Sequence, residues 1–303
     1  MLAGIEEELQ AELAGQVQKE MTAIEALLAG LFDYAGLYPP ASLGLRSAAN
    51  NYIEYSRGKH AAFLGRFIIN AERLDELRTV AGDALGQFRI SAIVADAGGL
   101  DTVADEIRKG MPIGTIEIKC APEDIAQIAP QIPKELTAYF EVAANAGGLR
   151  ALRSILGTGA RAKIRMGGVV PEAIPSAFDA AEMVGTLAQL PLAFKATAGL
   201  HHPVRSRRAL TYQPQSPSGT MHGFMNLCCA AAVGYFGGNS TDAENLLQEE
   251  NTSAWQVGAD AIQWRDLTWT TGQLATLRRD FFQSIGSCSF EEPMHDLESL
   301  GWL

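Results

Sequence analysis

The segments Ala162-Lys-Ile-Arg-Met-Gly-Gly168 and Phe194-Lys-Ala-Thr-Ala-Gly-Leu-His-His202 decide how the chain is interpreted. Both begin with alternating apolar and polar residues, which is the pattern of a β-strand with two different faces. Lys163 and Arg165 share the polar face of the first strand, and Lys195 lies on the polar face of the second. Neighbouring parallel strands would direct these three cations into one interior, and such an interior requires anionic partners.

The rest of the chain repeats the pattern of a strand followed by a helix. We predict seven such units, whose strands begin near residues 31, 65, 88, 114, 136, 161 and 192. The repeat indicates an α/β fold and favours a (β/α)8 barrel of the TIM type. A doubly wound open sheet is the alternative, because periodicity does not reveal closure. Residues 1–30 are predicted to form an N-terminal helical extension, and residues 31–303 a single barrel domain.

The eighth strand has two candidate positions. Residues 221–227 suit a strand, but the Ala-rich sequence that follows them favours a helix. The preferred position is residues 286–290, which would follow an insertion with a helix at 242–250, a hairpin containing two tryptophans and a helix at 272–284.

Composition narrows the class of protein. The 303 residues, of which 47% are hydrophobic and 19% charged, suffice for one large barrel core. A net charge of −11 argues against a nucleic-acid partner, because phosphates attract basic surfaces. The longest apolar run, Cys228 to Phe236, is too short for a membrane span. We predict a cytoplasmic protein, because no signal peptide is recognisable at Met1 and no CxxC pair occurs. The N-terminal helix suits a contact in a homo-oligomer.

Functional side chains of a barrel lie at the carboxyl ends of its strands. The predicted strands are unusually polar there, although strands that are buried on both faces are normally apolar throughout. The candidate catalytic residues are Lys195, Glu141, His201 and Lys163. The candidate substrate-binding residues are Arg165, Lys119, Thr197, Asn70, Asp96, Asp33, His222, Gly167 and Gly168.

These residues predict chemistry on a small anionic carbonyl compound, with no cofactor. A lysine enclosed beside other cations loses proton affinity and can form a Schiff base, which makes Lys195 the candidate nucleophile of an aldolase-like lyase or an isomerase. Glu141 and His201 would transfer protons. The competing interpretation makes Lys163, Arg165 and Lys195 a clamp for a carboxylate or phosphate.

Two further interpretations remain open. A non-catalytic barrel could fill its interior with ion pairs, such as Glu117 with Lys119 and Glu141 with Arg165. A metal-dependent hydrolase or lyase could instead bind a divalent metal through the loop histidines, although no HxH or HExxH spacing supports it. The candidate metal ligands are His201, His202 and His222. Cys288 is interpreted as structural, because no base for it is evident in the sequence.

Two resemblances accompany these patterns. Phe194-Lys-Ala-Thr-Ala-Gly199 resembles the Lys-Thr-Ser-Thr-Gly segment of deoxyribose-phosphate aldolases, in which the lysine forms the carbinolamine, and Lys163 to Gly168 resembles their Lys-x-x-Gly-Gly segment. The two segments occur here in reverse order. The motifs FDYAGL-PP, KIR-GG, FKATAGLHHP and GSCSFEEP resemble an uncharacterised family of bacterial proteins, over most of residues 28–303. That resemblance implies one integral unit and no particular activity.

Overall fold

Eight parallel strands close into a barrel in a computed structural model that describes residues 21–303. The first seven strands are β1 (Phe32–Tyr34), β2 (Leu64–Asn70), β3 (Ile90–Val94), β4 (Ile113–Ile118), β5 (Thr137–Ala143), β6 (Arg161–Arg165) and β7 (Phe194–Thr197). They follow one another around the barrel in chain order, each parallel to the next. The predicted (β/α)8 barrel is therefore confirmed.

Helices surround the barrel because the outward faces of its strands are apolar. Ala162 and Ile164 of β6, and Phe194 and Ala196 of β7, are buried in the hydrophobic core. The helices up to this point are α1 (Ala23–Leu28), α2 (Leu45–Tyr55), α3 (Leu74–Ala81), α4 (Ala97–Arg108), α5 (Ile125–Ile128), α6 (Ala146–Ile155) and α7 (Ala177–Gln189). Within residues 21–303, no helix combines the length and apolarity that a membrane crossing requires.

A long insertion separates β7 from the last barrel strand, as predicted. Its strands are the hairpin β8 (Ser206–Ala209) and β9 (Ser218–Met221), then the antiparallel sheet β10 (Trp255–Val257), β11 (Ala261–Trp264) and β12 (Leu267–Thr270). Its helices are α8 (Phe224–Tyr235), α9 (Ser240–Gln248) and α10 (Thr271–Asp280).

The eighth barrel strand is β13 (Phe282–Ser287), which pairs with β7 and β1 and precedes α11 (Glu291–Ser299). The preferred interpretation of the sequence thus placed it near the correct position, and the alternative at residues 221–227 is wrong because these residues end β9 and begin α8. The predicted helix at 272–284 was too long. It ends at Asp280 because Phe281 and Phe282 pack against Phe194, with ring centroids 5.1 and 4.9 Å apart.

The predicted N-terminal helical extension lies largely outside the described residues, which begin at Met21. The described part contains α1, which starts at a capping box formed by Thr22 and Glu25. Arg278 of α10 donates hydrogen bonds to the carbonyl groups of Leu27, Ala29 and Phe282, at 2.8 to 3.0 Å. One guanidinium therefore ties α1 to the start of the last barrel strand.

The strand register brings the charged residues of β5, β6 and β7 to one level of the barrel. Glu141 pairs with Lys163 across β5 and β6, and Lys163 pairs with Lys195 across β6 and β7. Glu117 of β4 lies opposite Tyr139 of β5, two residues before Glu141. Because alternate residues share a face, these side chains all point into the barrel.

Candidate functional site

A cavity of about 390 Å³ opens at the carboxyl ends of the barrel strands. This is the end at which barrel enzymes carry their active sites. Loop residues Tyr38 to Pro40 and the hairpin neighbours Leu210 and Met221 form part of its wall. Its hydrophilic lining at or directly after the strand ends includes Asn70, Lys119, Glu141, Lys163, Arg165 and Thr197. The cavity wall therefore has an apolar part from these loops and a charged part from the strand ends.

Lys163 lies in the floor of the cavity, between two carboxylates. Its Nζ is 2.7 Å from Glu117 Oε2 and 2.8 Å from Glu141 Oε2. Only 5% of Lys163 is exposed, yet the side chain lines the cavity. Its amine is thus accessible to a small molecule that has entered, and it is held in place from two sides.

Lys195 lies one strand away and is completely buried beneath the cavity. Its Nζ donates to Asp33 Oδ2 at 2.5 Å and to Glu117 Oε1 at 2.6 Å. Burial lowers the pKa of Lys195, but the two carboxylates outweigh it and raise the pKa well above the usual value. The expectation that neighbouring cations weaken its proton affinity is therefore wrong, because Asp33 and Glu117 screen them.

Asp33 is fixed by backbone and side-chain donors beneath the cavity. Its Oδ1 accepts the Arg66 backbone N–H at 2.6 Å, and its Oδ2 accepts the Ser284 hydroxyl at 2.7 Å as well as Lys195. A side chain at Gly65 would clash with Asp33, because its Cβ would lie 2.3 Å from Oδ1. Asp33, which was predicted to bind the substrate, therefore holds Lys195 in place instead.

Glu117 connects the two lysines. Its Oε1 accepts Lys195 and the Ser91 hydroxyl, the latter at 2.8 Å, while its Oε2 faces Lys163. Burial raises the pKa of Glu117, but Lys163 and Lys195 overcome this effect and hold the pKa far below its usual range. The sequence suggested Lys119 as its partner, which is wrong: Glu117 pairs across the barrel with β6 and β7 instead.

The rim of the cavity carries a second ion pair and an unpaired cation. Arg165 donates through Nε and Nη2 to Glu141 Oε1, at 3.0 and 2.9 Å. Burial raises the pKa of Glu141, but Lys163 and Arg165 lower it further, so Glu141 is ionised. Within residues 21–303, the Lys119 ammonium has no ion pair or hydrogen bond. The rim therefore carries a positive charge that no described carboxylate neutralises.

Three of the other predicted contact residues line the cavity, and three do not. Asn70, Thr197 and Gly168 line it, and Asn70 Oδ1 accepts the Tyr38 hydroxyl at 2.7 Å. Asp96 instead caps α4 by accepting the Gly99 N–H at 3.1 Å. The residues absent from the lining are Asp96, Gly167 and His222.

Gly167 and His222 have structural roles. A Cβ at Gly167 would lie 3.0 Å from the Gly199 Cα, so this glycine allows two strand-end loops to pack closely. His222 is completely buried, and its Nε2 donates to the Pro175 carbonyl at 2.9 Å. Burial lowers the pKa of His222, which keeps it neutral. Neither residue lines the cavity, where the prediction had placed both.

The histidines do not converge on a metal position. His201 Nδ1 lies 3.0 Å from Glu292 Oε2, and His202 Nδ1 lies 2.6 Å from Asp296 Oδ2, so each has its own carboxylate. In the described part of the chain, no group of three or more His, Cys, Asp or Glu side chains is arranged so that it could hold a metal ion. Only His201 of the predicted metal candidates lines the main cavity.

Cys288, which the sequence led us to interpret as structural, belongs to the lining of the cavity. It lines the cavity one residue beyond β13, and its Sγ lies 3.9 Å from His201 Nε2. Glu292 and Tyr212 complete this group, because the Tyr212 hydroxyl donates to Glu292 Oε2 at 3.0 Å. The position of Cys288 directly after a barrel strand was the available signal. Its base comes from a loop 87 residues away in sequence, which no local pattern reveals.

The fold and the cavity define a (β/α)8 barrel whose charged interior opens at the carboxyl ends of its strands. No protein-family model and no curated protein matches the chain. The resemblances to deoxyribose-phosphate aldolases and to a bacterial family therefore remain predictions.

Proposed function

We propose that this barrel is an enzyme that acts on a small carbonyl compound bearing a carboxylate or phosphate, by Schiff-base chemistry of the aldolase or isomerase type. The observation that carries this proposal is Lys163, a lysine that lines the strand-end cavity while two carboxylates hold it. The nucleophile proposed here is Lys163 rather than Lys195, because Lys195 is completely buried below the cavity.

The cations of the rim support an anionic substrate. Lys119 and Arg165 line the same cavity as Lys163. Arg165 shares Glu141 with Lys163, whereas Lys119 has no partner within residues 21–303. A carboxylate or phosphate that enters the cavity would gain charge-assisted hydrogen bonds from these two side chains. The carbonyl group of the same molecule would then lie toward the floor, near Lys163.

The carboxylates beside Lys163 supply a proton acceptor for its reaction. A lysine must lose a proton before it attacks a carbonyl carbon. Glu117 and Glu141 each lie within hydrogen-bond distance of Lys163 Nζ. Each is also bound to a second cation, Glu117 to Lys195 and Glu141 to Arg165.

Glu141 is the proposed proton acceptor. It lines the cavity, and its Oε2 lies 2.8 Å from Lys163 Nζ. After the proton moves to Glu141, the amine adds to the carbonyl carbon, and loss of water converts the adduct into a protonated Schiff base. The positively charged nitrogen can then accept the electron pair from a C–C or C–H bond that breaks in the substrate. His201, in the loop after β7, lines the same cavity and is a second acid/base candidate.

Borohydride reduction tests the proposal directly. We would incubate the protein with pyruvate, glyoxylate or dihydroxyacetone phosphate, reduce with sodium borohydride and map the added mass by peptide mass spectrometry. The expected result is a stable adduct on Lys163 with at least one of these compounds and no adduct in a Lys163→Met variant.

Lys119→Met is the matched control, because it removes a cavity lysine that has no structural partner within residues 21–303. We expect it to keep the adduct on Lys163 but to need about tenfold more ligand, which corresponds to ~1.4 kcal/mol of binding. An adduct on Lys195 instead of Lys163 would contradict the assignment of the nucleophile. The absence of any borohydride-dependent adduct across the three compounds would contradict the lysine mechanism.

A further inference from the structure

A second chemical group lines the same cavity beyond the ends of β7 and β13, which are neighbouring strands. Cys288 and His201 both line the cavity, and both are buried. His201 Nδ1 is held by Glu292 Oε2 at 3.0 Å, and Glu292 Oε2 also accepts the Tyr212 hydroxyl at 3.0 Å. The order thiol, imidazole, carboxylate is the arrangement in which a cysteine nucleophile is paired with a base and the base with an orienting group.

The geometry brings the thiol and the imidazole into contact. Cys288 Sγ lies 4.0 Å from His201 Nδ1 and 3.9 Å from Nε2, so the sulfur lies beside the ring rather than on the axis of one N–H bond. Because Glu292 occupies Nδ1, Nε2 is the nitrogen that can exchange a proton with the sulfur or with a ligand. Burial lowers the pKa of His201, but Cys288 and Glu292 outweigh it and raise the pKa to about 9.

The other cysteines of the chain lie in different environments. Cys228 and Cys229 are completely buried in α8, and burial raises the pKa of Cys228 to about 12. Cys120 is partly exposed, and burial together with Asp124 and Glu123 raises its pKa. Cys288 alone among the four lines the cavity described above. Imidazolium or other cations near a sulfur stabilise the thiolate, which is the nucleophilic form.

We propose that Cys288 is a second nucleophile in this cavity and adds reversibly to small anionic aldehydes. The thiolate of Cys288 forms a C–S bond with the aldehyde carbon as the C=O π bond opens, and the electron pair moves to the oxygen. His201 transfers its proton to that oxygen, which gives a neutral thiohemiacetal, and reversal of both steps releases the aldehyde. The step needs no further reactant and does not rest on Schiff-base formation at Lys163.

The cavity cations explain the preference for an anion. Lys119 and Arg165 line the same space as Cys288. They would attract a carboxylate on the ligand, whereas Glu123 and Asp124 near Cys120 would repel it. Cys120 therefore serves as an internal control for the preference of Cys288 for anionic reagents.

Alkylation of the whole protein with iodoacetate and iodoacetamide tests this site. We would measure the rate at each cysteine by peptide mass spectrometry. We expect iodoacetate to modify Cys288 at least tenfold faster than Cys120, and faster than neutral iodoacetamide modifies Cys288, with the opposite reagent preference at Cys120. Equal rates at Cys288 and Cys120, or a preference for iodoacetamide at Cys288, would overturn the proposal.

Variants distinguish the activation of Cys288 by His201 from the attraction of an anionic reagent by Lys119. His201→Asn should reduce alkylation of Cys288 by both reagents at least tenfold, whereas Lys119→Met should reduce only the iodoacetate rate. Thermal unfolding of each variant identifies a loss of fold. Glu292→Gln is a milder change that affects the same imidazole, and we expect it to reduce the alkylation rate of Cys288 by a smaller but measurable amount. An unchanged rate in folded His201→Asn and Glu292→Gln would overturn the activation of Cys288.

Aldehyde capture is tested separately from lysine chemistry. Glyoxylate should protect Cys288 from iodoacetamide in the Lys163→Met variant, in which no Schiff base can form at that position. Loss of protection on dilution is expected for a reversible adduct. No protection in this variant would overturn aldehyde addition at Cys288. Protection in the variant, combined with no borohydride adduct in the wild-type chain, would support the thiol site and contradict only the Schiff-base function.

Discussion

Lys163 and Lys195 are register partners on adjacent strands, and one carboxylate, Glu117, separates their ammonium groups. Its Oε2 is 2.7 Å from Lys163 Nζ, and its Oε1 is 2.6 Å from Lys195 Nζ. Without this carboxylate, two buried cations would face each other in a medium of low polarity. The two lysines nevertheless differ, because Lys163 lines the cavity and Lys195 is sealed beneath it.

Glu117→Gln should be strongly destabilising. The amide keeps the size of the side chain but removes the negative charge between Lys163 and Lys195, so two buried ammonium groups lose a shared counter-ion. We expect a loss of about 3–5 kcal/mol in the free energy of unfolding. Urea denaturation measures this loss, and the exposed Glu123→Gln serves as the control. A change in Glu117→Gln as small as in the control would contradict the bridging role.

Lys195→Met should mainly reduce the stability of the fold, whereas Lys163→Met should mainly abolish formation of the Schiff base. Lys195→Met leaves Asp33 without its ammonium partner in a sealed interior, whereas Lys163→Met leaves Glu117 and Glu141 with Lys195 and Arg165. We expect the loss of unfolding free energy in Lys195→Met to exceed that in Lys163→Met by roughly 1–3 kcal/mol. Only Lys163→Met should abolish the borohydride adduct in a protein that remains folded at neutral pH. The reverse order of stabilities would contradict this division of roles.

Asp96→Ala should weaken the fold slightly and leave ligand chemistry unchanged. Asp96 caps α4, as Asn145 caps α6 by accepting the Gly148 N–H. We expect either alanine variant to lose roughly 0.5–2 kcal/mol of unfolding free energy. The Lys163 adduct should form equally well in both, as measured by the same borohydride assay. A loss of adduct confined to Asp96→Ala would restore the original prediction that Asp96 contacts the substrate.

His201 should stabilise the protein at neutral and acidic pH and lose this effect in base. Its pKa rises from 6.5 to about 9 on folding, so the folded state binds the proton more tightly. The contribution is complete below the unfolded pKa and disappears as the pH rises through about 9. We expect the gap in unfolding free energy between wild-type and His201→Asn to be roughly 1–3 kcal/mol larger near pH 6 than near pH 9.5.

His222 supplies a control of opposite sign for this titration. Burial lowers its pKa in the folded state, so the unfolded chain binds the proton more readily. Its contribution to stability should therefore fall as the pH drops below about 6.5. Observation of His201 by NMR across the same range provides the direct measurement, and a midpoint near the unperturbed value would refute the effect of Glu292 and Cys288 on the pKa of His201.

The repeated strand–helix pattern favoured a barrel over an open sheet and predicted the inward direction of the charged side chains, but it did not reveal closure. Glu117, Glu141, Lys163 and Lys195 occupy alternate positions of short strands whose other positions are apolar. The apolar face had to pack against helices, so the charged face could only point inward. The last strand was harder to predict, because the long insertion interrupts the repeat and Phe282 begins a strand where a helix was expected.

The pairing of those charges was decided only by the tertiary structure. Alternation fixes the face on which a residue lies, but the closure and stagger of the barrel fix its depth and its partner across the interior. Asp33 holds Lys195 from a position 162 residues earlier in the chain, and His201 meets Cys288 across 87 residues. Asp96 and His222 were predicted from the sequence to bind the substrate in the same way. In the structure, Asp96 caps a helix and His222 is a buried neutral ring. The sequence thus determined which faces carry charge, and the three-dimensional register determined which lysine meets the cavity, because depth within a barrel depends on all its strands together.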